Sequence, residues 1–318
     1  MRKRTLSLLL SFTLLGLLIY FSDPLKVAST IARVNPLYIL AGISIFWLNS
    51  FLRTIRWQIL LKKLNIRIPL TDTFYILMAG LFISNMTPGK TGDPIRSLLL
   101  KRTHSKSFTK SVPSIFIERI ADIVAMIMIS LFGIFFISSE YTIYLFITIL
   151  TYSLLVFLLI FILLSKKRTE RFFSIVVKLF SFIPKIKNLK KDISEMSQNL
   201  HTSFSRYKDK NILFKTILLS LIIWTFEGLV LYVAFLSMNF PVTPEACITI
   251  TSFSILLSII TFLPGGLGSA EIITVLTFTA LFPFLTSSDV TATVLISRFM
   301  SFWMSVIVGA FSLGFKMK

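Results

Sequence analysis

The stretches PGKTGD at residues 88–93 and PGGLGSAE at residues 264–271 interrupt two apolar segments of this 318-residue chain. Both read Pro-Gly-x-x-Gly followed closely by a carboxylate. In a soluble protein such a break would form a surface turn. In lipid, free backbone N–H and C=O groups cost several kcal/mol unless protein or trapped water satisfies them. Paired breaks in the two halves of a chain are the best sequence pointer to a transporter's binding site.

The composition indicates an all-α, polytopic helical membrane protein. Hydrophobic residues make up 55% of the chain, charged residues 15%, and the mean hydropathy is +0.83. The run 143–164 carries no charge, and about 20 apolar residues are enough to cross a bilayer core. The net charge of +19 lies beside the apolar runs, so it predicts membrane topology and not a nucleic-acid partner.

The apolar runs predict about six full spans and two broken hairpins. The first limb of the first hairpin, 71–84, would be about 21 Å long, which is short for a core of about 30 Å. We therefore predict that both hairpins are re-entrant. The basic N-terminus resembles a signal peptide, but it lacks a clear small-x-small cleavage site, which favours an uncleaved first helix. The predicted spans are 5–21, 37–61, 112–138, 141–165, 212–238 and 288–315, and the predicted hairpins are 70–100 and 245–284.

The distribution of Lys and Arg predicts that both termini are cytoplasmic. With the N-terminus inside, the segments 1–4, 62–69, 101–111, 166–211 and 316–318 contain 24 of the 33 basic residues, and the outer loops contain only Lys26 and Arg33. This is a strong positive-inside signal. The bias would survive if either hairpin were two full spans, so charge alone does not establish re-entrancy.

This topology makes the chain one transmembrane domain, 1–318, built from two inverted units. Repeat 1 covers about 37–138 and repeat 2 about 212–315, with each hairpin entering from the opposite face. The basic linker 166–211 joins them on the cytoplasmic side. Its apolar residues recur at helical spacing, which favours an amphipathic helix on anionic inner-leaflet lipid. An ordinary solvated loop is the alternative.

The embedded charges predict a polar cavity between the repeats that holds a charged headgroup. Ionisable residues at mid-bilayer need partners or water, and arginine binds phosphate with a planar pair of donors. We expect Arg56, Arg119 and Arg298 to face this cavity. The alternative is that the charges only pair with one another, for example Arg119 with Glu271. The candidate substrate-binding residues are Arg56, Asn85, Pro88, Gly89, Gly92, Asp93, Arg96, Glu118, Arg119, Asp122, Glu227, Pro264, Gly265, Gly266, Gly268, Glu271 and Arg298.

Other site classes receive little support from the sequence. Gly89-Lys90-Thr91 resembles part of a nucleotide-binding loop, but that pattern requires glycine where this chain has Ser84. His104 and His201 lie in separate basic segments without a carboxylate cluster, so we expect no metal site. The single cysteine, Cys247, is expected to be an inert packing thiol. We predict no cofactor and no catalytic residues.

Five groups of residues resemble the lysylphosphatidylglycerol synthase transmembrane-region family, whose members are also described as flippase-like. The groups match in order over most of the chain. They are Arg53-x-x-Arg56-Trp57-x-x-Leu60-Leu61, Asn85-x-x-Pro88-Gly89-x-x-Gly92-Asp93-x-x-Arg96, Glu118-Arg119-x-x-Asp122, Leu263-Pro264-Gly265-Gly266-Leu267-Gly268-x-x-Glu271, and Arg298 with Trp303 and Gly309.

The resemblance implies a lipid translocase in the cytoplasmic membrane. In the bifunctional members, the membrane half is implicated in moving lysylphosphatidylglycerol to the outer leaflet. This sequence ends at Lys318 without the large aminoacyl-transferase domain, so we do not expect that catalytic activity. The expected partner is a membrane phospholipid with an anionic or aminoacylated headgroup. The alternatives are a membrane-embedded lipid-modifying transferase and a non-transporting partner of a separate lipid-modifying enzyme.

Overall fold

The computed structural model describes residues 2–137, 140, 142–163, 168 and 209–316, which contain helices and no strand. The linker 166–211, with its predicted amphipathic helix, lies almost entirely outside the described residues. The twelve α-helices of these described residues are α1 Arg2–Phe21, α2 Pro24–Ala32, α3 Pro36–Lys63, α4 Leu70–Asn85, α5 Ile95–His104, α6 Phe108–Gly133, α7 Thr142–Leu163, α8 Lys210–Leu236, α9 Pro244–Ser258, α10 Ser269–Leu281, α11 Ser287–Arg298 and α12 Met304–Lys316.

Six of these twelve helices begin at a polar residue whose side chain caps the first turn. Asn35 accepts a hydrogen bond from the Leu37 N–H at 3.0 Å, and Pro36 follows it, which suits the first helical position. Thr286 and Asp289 form a reciprocal capping box at the start of α11. These caps fix the ends of the apolar runs, so the predicted and observed helix boundaries agree closely.

The helical membrane class is confirmed. Six stretches of the described chain are long and apolar enough to cross a membrane, and α1 with α2 forms a further candidate, bent by 87° between the two helices. The short helix α2 is absent from the prediction. The six stretches are Pro36–Lys63, Lys110–Phe136, Lys210–Leu236, Pro244–Thr261, Pro264–Leu281 and Ser287–Phe315.

The two predicted hairpins are unequal in length. Both limbs of the second hairpin, with their adjoining turns, are long enough to cross a membrane. The limbs of the first hairpin, α4 and α5, have 16 and 10 residues and do not reach that length. Re-entrancy of the second hairpin is therefore less clearly favoured by length than that of the first, and both stay predictions.

The packing of the helices is reciprocal between the two halves. The first limb of hairpin 1, α4, packs against α12, the last helix of the second half. The first limb of hairpin 2, α9, packs against α6, the last long helix of repeat 1. The helices α3 and α8, which open the two repeats, pack against each other. The two breaks are also in contact with each other, while their opposite orientation across a membrane stays a prediction.

Candidate functional site

The two Pro-Gly breaks have the same conformation over their first three residues, and they touch each other. Each forms a short 3₁₀ turn, at Pro88–Lys90 and at Pro264–Gly266, and the residue after each proline is a glycine with φ near +57° (56° and 58°). The Gly89 N–H donates a hydrogen bond to the Phe262 carbonyl oxygen at 3.1 Å. The sequence repeat is therefore also a structural repeat, and its two copies are in direct contact.

The glycines in the breaks are required by conformation and by close contacts. A Cβ on Gly265 would lie 2.4 Å from the Phe302 ring and 3.2 Å from the Asn85 carbonyl oxygen, in addition to requiring a positive φ. Gly92 has no positive φ, and close approach alone accounts for it, because a Cβ there would lie 2.6 Å from Thr87 Oγ1. The breaks are thus packed turns in which larger side chains do not fit.

A cavity of about 500 Å³ lies where the two breaks meet. Its walls come from both halves of the chain, including α3, α4, α6, α8, α9 and the π-helical turn Phe299–Trp303 between α11 and α12. Such π-helical turns are frequent at functional sites. The walls are mainly apolar, and the charged side chains that line the cavity are Arg53, Lys90, Asp93, Arg119, Asp122, Glu227 and Arg298.

Each break supplies a carboxylate that pairs with an arginine in the same half. Asp93 Oδ2 lies 2.7 Å from Arg119 Nε, and Glu271 Oε1 lies 2.7 Å from Arg298 Nε. The hypothetical pairing of Arg119 with Glu271 across the halves is therefore wrong, because each carboxylate faces the next long helix of its own unit. The carboxylates are buried and the arginines are partly open to the cavity, with 23% and 15% of their side chains exposed.

A third ion pair joins the two halves at the cavity wall. Arg53 Nη2 on α3 lies 3.2 Å from Glu227 Oε2 on α8, and Asn49 Nδ2 donates to the same oxygen at 3.0 Å. The Arg53 guanidinium also lies over the Trp224 ring. The sequence-based site omitted Arg53, Asn49 and Trp224. The i, i+4 spacing of Asn49 and Arg53, which places both on one face of α3, was the available signal.

Arg56 is buried behind the cavity, contrary to the expectation that it faces the ligand. It is 2% exposed, and its guanidinium contacts Glu118 at 3.3 Å and Asp122 at 3.3 Å. Arg96 Nη1 lies 2.7 Å from the other Glu118 oxygen, and the Arg96 guanidinium stacks on the buried ring of Trp57. Arg56, Arg96 and Glu118 form a buried ion network between α3, α5, α6 and α8, and Asp122 connects it to the cavity wall.

We refer to all these ionisable residues together as the charged cluster. Nine of the seventeen predicted site residues line the cavity, namely Asn85, Gly89, Asp93, Arg119, Asp122, Glu227, Gly265, Gly266 and Arg298. The other eight, Arg56, Pro88, Gly92, Arg96, Glu118, Pro264, Gly268 and Glu271, support the walls without lining them. The charged cluster contains the cations Arg53, Arg56, Lys90, Arg96, Arg119 and Arg298 and the carboxylates Asp93, Glu118, Asp122, Glu227 and Glu271.

The arrangement places cationic and anionic side chains in a cavity whose walls are mainly apolar. Guanidinium groups that are anchored by buried carboxylates keep donors directed to the cavity, and a planar guanidinium suits phosphate oxygens. In mainly apolar surroundings, such contacts are stronger than in water. The site is therefore suited to recognition of an anionic group.

Comparison with known proteins gives the same family as the sequence motifs. The family model described as the lysylphosphatidylglycerol synthase TM region matches residues 5–309. A UPF0104 membrane protein of Pyrococcus horikoshii is 22% identical over 96% of this chain and 95% of its own length. A second, from Methanocaldococcus jannaschii, is 23% identical over 96% of this chain and 93% of its own length.

A further relative carries the name of an enzyme. The glycosyltransferase AglD of Haloferax volcanii is 26% identical over 37% of this chain, and the match covers only 19% of that protein. This shorter match adds no activity to the present chain. Because the family model covers nearly all of the sequence, the chain belongs to the lysylphosphatidylglycerol synthase TM-region family.

Proposed function

We propose that this protein is a lipid translocase of the cytoplasmic membrane, moving a phospholipid or lipid-linked headgroup between leaflets. The observation that supports it most is the cavity at the junction of the two breaks, where both halves contribute arginines with buried counter-ions. A binding site at the interface of two structural units is what alternating access requires. The apolar walls suit the glycerol and acyl part of a lipid.

A reconstitution assay tests this function. Purified protein in vesicles that contain fluorescent phosphatidylglycerol should expose inner-leaflet probe to a membrane-impermeant reductant faster than protein-free vesicles. Gly265→Val should abolish this movement, because positive φ costs a branched residue roughly 1–3 kcal/mol and the side chain would collide with Phe302. Gly314→Val is the matched control, since no atom lies within 4 Å of a Cβ at that position. Full activity of folded Gly265→Val would contradict the proposal that lipid binds in the cavity between the two breaks.

A second candidate function is that of a membrane partner for a separate lipid-modifying enzyme. The match to a segment of a much longer glycosyltransferase favours it, because the shared region is a minor part of that protein. In that case the chain should co-purify with an enzyme from its own cells, and the vesicle assay should show no lipid movement. A transferase within the membrane domain would instead modify labelled lipid donors in the purified state.

We also propose that both termini and the linker 166–211 face the cytoplasm, where the linker contacts anionic lipid. Single cysteines should be introduced into a variant in which Cys247, which is fully buried, is replaced by Ser. A cysteine at Glu140 should react with an impermeant thiol reagent in intact cells, and cysteines at Lys101 or within the linker should react only after lysis. Labelling of Lys101→Cys in intact cells would show that this segment faces outward, and the proposed orientation would be wrong.

A further inference from the structure

Lys90 is the cavity-lining cation whose charge is left without a counter-ion. Arg53, Arg119 and Arg298 each have a carboxylate within 4 Å, whereas in the described part of the chain no carboxylate lies that close to the Lys90 ammonium. Since the charged cluster holds six cations and five carboxylates, its surplus is one positive charge, and Lys90 carries it. An uncompensated charge in a largely apolar cavity is unfavourable, and an anion that binds there would relieve it.

Lys90 has a strained backbone conformation at a position where the second break has glycine. Lys90 has φ +55°, the left-handed region that residues with a Cβ seldom adopt. The corresponding position of the second break is Gly266, with φ +69°. The same turn can therefore be made with glycine, and the first break instead carries a cation. A strained residue that lines a cavity points to a role in the site.

We propose that Lys90 makes the cavity selective for a lipid headgroup with one net negative charge, by binding an oxygen of its phosphate; this rests on the proposed function. A phosphodiester anion neutralises the surplus charge and leaves the existing ion pairs intact. A zwitterionic headgroup binds less well than an anionic one, because its own cation would lie next to the partly exposed arginines. An aminoacylated headgroup with net positive charge increases the surplus, so it binds least well.

The test uses Lys90→Gly, which removes the charge and suits the positive φ. Binding of dihexanoyl phosphatidylglycerol and dihexanoyl phosphatidylcholine to the purified protein is measured by titration calorimetry. The wild type should prefer the anionic lipid by about tenfold, which corresponds to about 1.4 kcal/mol, and Lys90→Gly should lose the preference without a lower melting temperature. Lys90→Arg should keep the preference. Lys101→Met, which removes an exposed lysine from α5, is the matched control and should behave as wild type.

Several outcomes would overturn the inference. A wild type without preference between the two lipids, or a Lys90→Gly variant that keeps it, would show that Lys90 does not select the headgroup. Glycerol phosphate that binds as tightly as the lipid would show that the cavity takes free phosphate esters and not lipids. If the anionic lipid binds through Lys90 but does not cross reconstituted membranes, the translocase function fails and the selectivity stands.

Discussion

Arg56→Gln is expected to lower the free energy of unfolding by about 3 kcal/mol, the lower end of the range for breaking a buried ion pair. The guanidinium is 2% exposed and contacts both Glu118 and Asp122. Each carboxylate keeps a second arginine, Arg96 or Arg119, which limits the loss. Arg56→Lys should restore part of the stability, because an ammonium keeps the charge and loses the planar fork that reaches two carboxylates.

Arg53→Gln is the matched control, three residues away on the same helix. Its side chain is 15% exposed and its partner Glu227 is 19% exposed, so cavity water can solvate the carboxylate that remains. Melting of the purified proteins in detergent should therefore show a much smaller decrease for Arg53→Gln than for Arg56→Gln. Lipid transport should nevertheless fall in Arg53→Gln. Equal melting temperatures of the two variants would show that Arg56 is as accessible to water as Arg53, contrary to the structure.

The sequence alone predicted the helical membrane class and the position of both breaks. The long helices at 37–61, 112–138 and 212–238 agree with the structure within a few residues, because predominantly apolar runs and polar N-terminal caps limit their extent. The short helix α2 was missed, although Asp23 caps its first turn and Pro24 follows, because nine residues are too few to cross a membrane. The conformation of the breaks also follows from the sequence, since Pro-Gly fixes one dihedral angle and permits a positive φ at the next residue.

The partners of the charged residues could not be read from spacing. Arg53 and Arg56 differ by three positions, yet one lines the cavity and the other is buried, because the rotation of α3 against α6 and α8 decides which face is open. The internal repeat indicated the ion-pair partners better than the residue types did. Arg119 and Arg298 follow their prolines at similar distances, so equivalent pairs with Asp93 and Glu271 were the symmetric solution.

Removal of Arg298 is expected to destabilise the protein more than removal of its partner Glu271. Both Glu271 oxygens are buried and accept no hydrogen bond from the described residues, so Arg298 supplies the counter-charge. Arg298→Gln leaves this carboxylate uncompensated, at a cost of about 3–5 kcal/mol. Glu271→Gln leaves an arginine that lines the cavity, where water can solvate it. The double variant should recover most of the stability, because no charge of the pair remains.

The double variant also separates a structural role of the pair from a role in binding. If Arg298 binds the headgroup, Glu271→Gln/Arg298→Gln should melt close to the wild-type temperature and still fail to move fluorescent phosphatidylglycerol in vesicles. If the pair only connects α10 to α11, stability and transport should recover together. Arg298→Lys distinguishes the charge from the shape of the group, since it keeps a cation opposite Glu271 without the guanidinium plane. A double variant with wild-type transport would therefore exclude Arg298 from the binding site and leave Arg53, Lys90 and Arg119 as its cations.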